Sequence, residues 1–155
     1  MTASPYPPPA CPAEERVALA DLVVAYARAV DDIGNVDGIG SLFSDDAVYD
    51  LSALGMGEIV GQTAIRAFFR DAFAGMAHNA HFISNIALLA YTPSTAARVQ
   101  AYGHAFSLGK DGTLLEVKAR YTFAMVRADD CWRIARLGMD MLLPPISSYN
   151  SPHPS

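Results

Sequence analysis

Apolar residues recur every three to four positions near the beginning of the chain. The set comprises Leu19, Leu22, Val23, Tyr26, Ala27 and Val30, and it is preceded by Glu14 and Glu15. This spacing places the apolar side chains on one face of an α-helix, and acidic residues in a first turn interact favourably with the helix dipole. The pattern therefore predicts an amphipathic helix over residues 13–31.

A second stripe with helical period begins after a glycine-containing segment. Its apolar members are Ile65, Phe68, Phe69, Ala72, Phe73 and Met76, and they predict a helix over residues 63–77. Between the helices, glycines at positions 34, 38 and 40 leave room for no more than a short helix through residues 40–43. Residues 47–51 are predicted to be a short strand. The glycine-rich segment 55–61 is interpreted as a lid or turn, because no βαβ unit surrounds it.

In the second half of the chain the apolar period changes from about 3.6 to 2. This alternation predicts four long strands, over residues 81–91, 95–108, 114–127 and 131–143. Short polar segments separate the last three, which should therefore form an antiparallel meander. Helices followed by a meander predict an α+β fold, in which a strongly bent sheet leaves a cavity against the helices.

The two ends of the chain have a different character. Residues 1–12 and 144–155 are rich in proline and lack either period, so we expect flexible tails around a single domain over residues 13–143. We find no signal peptide and no membrane span. Cys11 and Cys131 are too few for a disulfide framework, which is typical of a cytoplasmic protein.

Composition narrows the classes of function. The 155 residues have the length of one domain, and a content of 52% hydrophobic and 17% charged residues excludes disorder. The net charge of −5, without any cluster of Lys or Arg, argues against nucleic acid or an anionic membrane as a partner. The composition therefore favours a small-molecule partner.

Candidate chemistry begins at the end of the first predicted helix. Asp31 and Asp32 stand where the helix dipole disfavours negative charge, so at least one of them is expected to have a specific role. The alternative is that both are solvated and help to end the helix.

Two histidines and two tyrosines lie on adjacent predicted strands. Alternation places His81 and Asn85 on one face of the first strand, Tyr102 and His104 on one face of the next, and Tyr121 on the third. Imidazoles and phenols among apolar neighbours are typical of a ligand pocket with a few convergent polar groups. For each histidine the alternative is a core or edge position satisfied by a backbone carbonyl. No metal site is predicted.

Four segments together resemble a known family. They are residues 26–31 (YARAVD), 42–48 (LFSDDAV), 81–85 (HFISN) and 131–135 (CWRIA). The chain resembles the SnoaL-like branch of the nuclear-transport-factor-2-like (NTF2-like) superfamily over about residues 13–143. The resemblance implies a cone-shaped α+β barrel with a pocket inside the cone and a homodimer or higher homo-oligomer. This fold carries many activities, so the residues of the site must decide the function.

Within that superfamily the residue pattern is most similar to that of the scytalone dehydratases. Their Asp at the end of the first helix and two strand histidines match Asp31, His81 and His104. Two tyrosines of that pattern fall instead on Val30 and near Leu51, with Tyr26 and Tyr49 close by.

The resemblance implies a cofactor-independent lyase of the dehydratase type. Asp31 would orient His81 as a general base, and His104 or Tyr121 would hold the developing oxyanion or protonate the leaving hydroxyl. The substrate would be a hydrophobic aromatic or polycyclic hydroxy or keto compound. The expected substrate contacts are Tyr26, Tyr49, Met56, Phe69, Phe73, Asn85, Tyr102 and Met139. The alternatives are an isomerase or cyclase, a retro-aldol lyase, and a non-catalytic binder or dioxygenase small subunit.

Overall fold

The computed structural model describes residues 6–149, so the outermost parts of both predicted tails, residues 1–5 and 150–155, lie outside the described residues. Three α-helices are present in the described part: α1 Ala13–Asp31, α2 Val36–Gly40 and α3 Gln62–Gly75. The first has the predicted bounds, and all six of its predicted apolar-face residues are buried. None of the helices within residues 6–149 is long and apolar enough to span a membrane.

The strands form one curved sheet. Their bounds are β1 Phe43–Asp50, β2 Glu58–Val60, β3 Met76–Thr92, β4 Ala96–Gly109, β5 Thr113–Ala128, β6 Cys131–Met141 and β7 Ile146–Tyr149. The order is β2-β1-β6-β5-β4-β3, and β7 pairs with β5. The β1–β6 pair is parallel, and the other pairs are antiparallel. The predicted α+β class, with N-terminal helices on a curved, mostly antiparallel sheet, is confirmed.

Short elements depart from the sequence prediction. Helix α2 spans Val36–Gly40 instead of the predicted residues 40–43, because the side chain of Asn35 accepts a hydrogen bond from the Gly38 N–H and caps the helix. Strand β7 lies in the segment that was predicted to be a flexible tail. Strand β6 pairs with β5 from Ala119 onward, which leaves the edge at residues 113–116 free to pair with β7. Strand β2 is only three residues long, too short to show a period.

A bulge bends β3 in the middle. The pairing of β3 with β4 shifts register between Ser84 and Ala87, and Asn85 between them has φ 53°. An extra residue in one strand reverses which alternate positions face inward. His81 and Ile83 therefore face inward before the bulge, whereas after it Leu88, which is 9% exposed, faces inward.

Candidate active site

A cavity of about 140 Å³ lies between the helices and the concave face of the sheet. Five of the predicted substrate contacts line it: Tyr26, Tyr49, Met56, Phe69 and Met139. Two of the four predicted catalytic side chains, His81 and Tyr121, line it as well. Met56 is also 54% exposed, which places the mouth of the cavity beside it, in the segment predicted to be a lid or turn.

A carboxylate joins the end of α1 to the first half of β3. Asp31, the last residue of α1, accepts one hydrogen bond from the backbone N–H of His81 at 2.9 Å and has its other oxygen 2.7 Å from His81 Nδ1. The Asn79 side chain donates to the Val30 carbonyl at 3.0 Å, which fixes the same junction. These bonds explain why a carboxylate is tolerated at a helix carboxyl end. Asp32, in contrast, is exposed and accepts from Asn35.

The carboxylate determines the state of the imidazole. Because an ionised carboxylate only accepts hydrogen bonds, the proton of neutral His81 lies on Nδ1 and the lone pair on Nε2. Nε2 has no hydrogen-bond partner among the described residues. The side chain of His81 is 9% exposed and that of Asp31 is 31% exposed. An imidazole that is oriented by a carboxylate in the wall of an apolar cavity can act as a general base.

Three tyrosine hydroxyls supply polarity to the cavity. The hydroxyls of Tyr26 and Tyr49 lie 2.9 Å apart, whereas that of Tyr121 makes no hydrogen bond within the part of the chain that the structure describes. Burial raises the pKa of Tyr49 to about 12, and it also raises the pKa values of Tyr26 and Tyr121 above the usual range. All three phenols are therefore protonated donors at neutral pH.

These raised pKa values predict a loss of stability at alkaline pH. The pKa of Tyr49 in the folded protein lies above the value near 10 that it has in the unfolded chain. Its contribution to the free energy of unfolding is therefore fully present below about pH 10 and is lost as the pH rises towards about 12. Each such tyrosine should lower the free energy of unfolding by about 1.4 kcal/mol per pH unit in that window. Urea unfolding at several pH values in this window gives the slope of the free energy of unfolding against pH. This slope should be smaller for Tyr49→Phe than for the wild type. The matched control is Tyr102→Phe, on the outer face; equal slopes for the two variants would contradict the prediction.

The ring of Tyr121 is positioned by a glycine on the neighbouring strand. A Cβ placed on Gly103 would lie 1.8 Å from Tyr121 Cε2, far inside contact distance, so the ring lies directly over the bare backbone of β4. Strand alternation on β4 does not by itself reveal a role for Gly103. Its function is to leave room for this ring.

Gly103→Ala should therefore displace the Tyr121 ring. We expect a loss of about 1–3 kcal/mol in the free energy of unfolding, together with weaker ligand binding, because the ring has to move. Gly138→Ala is the matched control on another strand: its added Cβ would meet Asp50 at an ordinary 3.6 Å. Urea unfolding of both variants tests the prediction, which is wrong if the two lose the same stability.

Two predicted site residues on β4 face away from the cavity. His104 and Tyr102 lie on the outer face of the sheet, and His104 Nε2 is 2.7 Å from Glu116, which also pairs with Lys118. Their small neighbours, Ala101, Gly103 and Ala105, face inward because the ring of Tyr121 and the cavity occupy the space there. The assignment of His104 and Tyr102 to the pocket was therefore wrong.

Two further predicted contacts also lie elsewhere. Asn85 is exposed at the β3 bulge, which breaks the alternation used to place it. Phe73 is 5% exposed but is packed behind the wall, with its ring 5.6 Å from that of Phe69. Asn79 and Ser107 also line the cavity, although neither was predicted to do so. Each lies two positions from an inward-facing residue of its own strand, His81 on β3 and Ala105 on β4, so strand alternation identifies both. No group of three or more potential metal ligands lies together within residues 6–149.

Comparison with known proteins gives one family and several similar folds. The model of the SnoaL-like domain matches residues 12–138. A protein of Novosphingobium aromaticivorans assigned as an aromatic ring hydroxylase is 40% identical, with 90% of this chain and 96% of that chain covered and a TM-score of 0.86. No curated protein matches the chain.

Two more distant structures share the fold. A protein of Novosphingobium aromaticivorans assigned as a scytalone dehydratase is 18% identical, with 90% of each chain covered and a TM-score of 0.75. A hexachlorocyclohexane dehydrochlorinase of Novosphingobium barchaimii is 19% identical, with 91% of this chain and 96% of that chain covered and a TM-score of 0.72. At such identities the likeness concerns the fold.

Proposed function

This chain belongs to the SnoaL-like domain family, and we propose that it is a cofactor-independent lyase that removes water from a hydrophobic hydroxy ketone. The family supports an enzyme scaffold that acts on small molecules. The observation that carries the proposal is the 2.7 Å contact between Asp31 and His81 Nδ1, which leaves Nε2 free in an apolar cavity.

The proposed reaction starts with proton abstraction. Nε2 of His81 removes a proton from the carbon next to the substrate carbonyl, and the Asp31 carboxylate stabilises the imidazolium that forms. The Tyr121 hydroxyl, which has no other partner among the described residues, donates a hydrogen bond to the developing enolate oxygen. The low exposure of both groups strengthens these interactions, because little water competes with them.

The second step expels the hydroxyl group. The electron pair of the enolate forms a carbon–carbon double bond while the carbon–oxygen bond at the next carbon breaks. The leaving hydroxyl takes the proton that His81 had removed, so water forms and the neutral imidazole is restored. An acid–base pair is sufficient for this sequence, in which no electrons are exchanged with another molecule.

Deuterium exchange tests the proposal. Cyclic β-hydroxy ketones are incubated with the protein in heavy water and examined by mass spectrometry, beside the His81→Ala variant. We expect a product lighter by one water, together with deuterium in the remaining substrate, and neither with the variant. An unchanged mass at a new retention time would replace the dehydratase by an isomerase or cyclase, and loss of an aldehyde would replace it by a retro-aldol lyase. Exchange that is equal in both proteins would refute the role of His81.

We also propose that the chain forms a homodimer through the outer face of the sheet. Phe82 is 63% exposed there, and its ring lies 6.2 Å from that of Phe106. The same face carries charges of both signs, in Glu116 and Lys118, and such a surface can be complementary to a second copy of itself. Sedimentation should show a dimer that Phe82→Asp dissociates, and a monomeric wild type would refute it.

The cytoplasmic location stays a prediction, based on two cysteines that are both free thiols.

A further inference from the structure

We propose that the ligand is an uncharged molecule whose buried part is a single six-membered ring. The inference rests on the proposed function only for the presence of a carbonyl or hydroxyl group on that ring. It concerns which molecules the cavity admits, and it can therefore be tested without any turnover.

The volume of the cavity sets the number of rings. The space is about 140 Å³, close to the roughly 150 Å³ of an engineered protein cavity that binds benzene. A second fused ring would need space that the side chains occupy. The polycyclic substrates considered from the sequence are therefore too large for the cavity as it stands.

The aromatic wall cannot expand easily. Tyr49 stacks on Phe69 with ring centroids 5.5 Å apart and an interplanar angle of 20°, and Phe68 meets Phe69 edge-on at 5.3 Å. Phe69 is itself only 3% exposed, so it has little room to move. Interiors packed in this way resist displacement, because any shift opens a void elsewhere. The exposed Met56 leaves room for a substituent at the mouth of the cavity.

The polarity of the lining sets the charge of the ligand. Among the described residues that line the cavity there is no Asp, Glu, Lys or Arg. Its polar groups are the tyrosine hydroxyls, His81, Asn79 and Ser107. A buried carboxylate or phosphate would lack a cation, and the nearby Asp31 carboxylate would repel it. The site therefore selects a neutral ring that carries an oxygen able to accept a hydrogen bond from Tyr121.

Calorimetry with ligands that lack a leaving hydroxyl separates size from chemistry. The probes are 2-cyclohexen-1-one, the two-ring 1-tetralone, the three-ring anthrone and, as a charge pair, acetophenone and benzoate. On apolar area alone the larger ketones would bind more tightly. We expect the reverse order, with cyclohexenone favoured over tetralone by about tenfold or more, and acetophenone over benzoate by a similar factor.

Variants of the wall then test the cause. Phe68→Ala, at a half-buried position, should enlarge the cavity and raise tetralone affinity above that of cyclohexenone, whereas Ala72→Leu should weaken both. Val24→Ala, at an exposed position of α1, is the control and should leave the order unchanged. Tetralone or benzoate binding to the wild type as tightly as its partner probe would overturn the proposal, and so would a failure of every ring compound to bind. If the ligand order holds but no proton exchange occurs, the proposed reaction fails while the ligand class stands.

Discussion

Replacing His81 with alanine should lower kcat/KM by about 10²–10⁴-fold, the usual contribution of a positioned general base. The reason is that Nε2 is the basic atom in the wall of the cavity, held there by the 2.7 Å contact of the other ring nitrogen with Asp31. Substrate should still bind, because the apolar wall is unchanged. The loss is therefore expected in kcat, and steady-state kinetics with the substrate found by the exchange experiment measures it.

His104→Ala is the matched control. Both histidines lie on neighbouring strands and both contact a carboxylate, but His104 contacts Glu116 on the outer face. Its removal should leave kcat/KM within about twofold of the wild-type value, since surface pairs contribute little. Equal losses in the two variants would show that the choice between the two faces of β4 is mistaken.

Asp31→Asn should lower turnover by about 10²-fold or more, although the side chain keeps its shape. The carboxylate accepts from both the backbone N–H and Nδ1 of His81. An amide has only one accepting oxygen, so one of these contacts must meet an NH₂ group. If the NH₂ group faces the ring, the ring proton moves to Nε2 and the base is lost; if it faces the backbone, the junction is disrupted.

Nitrogen NMR of the histidine rings distinguishes positioning from simple structural support. The wild type should show the proton of His81 on Nδ1, and the variant should show it on Nε2 or show mixed tautomers. Asp32→Asn, one residue later on an exposed side chain, is the control and should change neither the tautomer nor the rate. A wild-type rate in Asp31→Asn would remove Asp31 from the mechanism.

Long periodic segments were predictable from the sequence because their own pattern determines them. Helix α1 has the predicted bounds, since its apolar stripe and acidic first turn agree with each other. The pairing of Asp31 with His81 followed from the resemblance, and the structure places the two side chains in contact. Their catalytic roles stay predictions.

The predictions fail where neighbouring elements, and not the local pattern of residues, determine the structure. Alternation tells which residues of a strand share a face, but the neighbouring elements decide which face is inward. On β4 the face that carries Tyr102 and His104 was predicted to line the pocket. The small residues face inward instead, because Tyr121 from β5 occupies the space on that side. A one-residue bulge at Asn85 likewise leaves no local signal in the alternation. Strands β2 and β7 form because a partner edge is available to them, which the pattern of a short segment does not show.

The contact between α1 and β3 also determines when the candidate site can form as the chain is synthesised. Asp31 and His81 are 50 residues apart, and Tyr121 is synthesised later still. During synthesis on the ribosome, the carboxylate at the end of α1 has no partner until the middle of the chain has emerged. The cavity is complete only when β6, which carries Met139, has joined the sheet. The proposed proton-transfer site is thus one of the last parts of the domain to form, so that any turnover would report the fully assembled domain and no fragment of it.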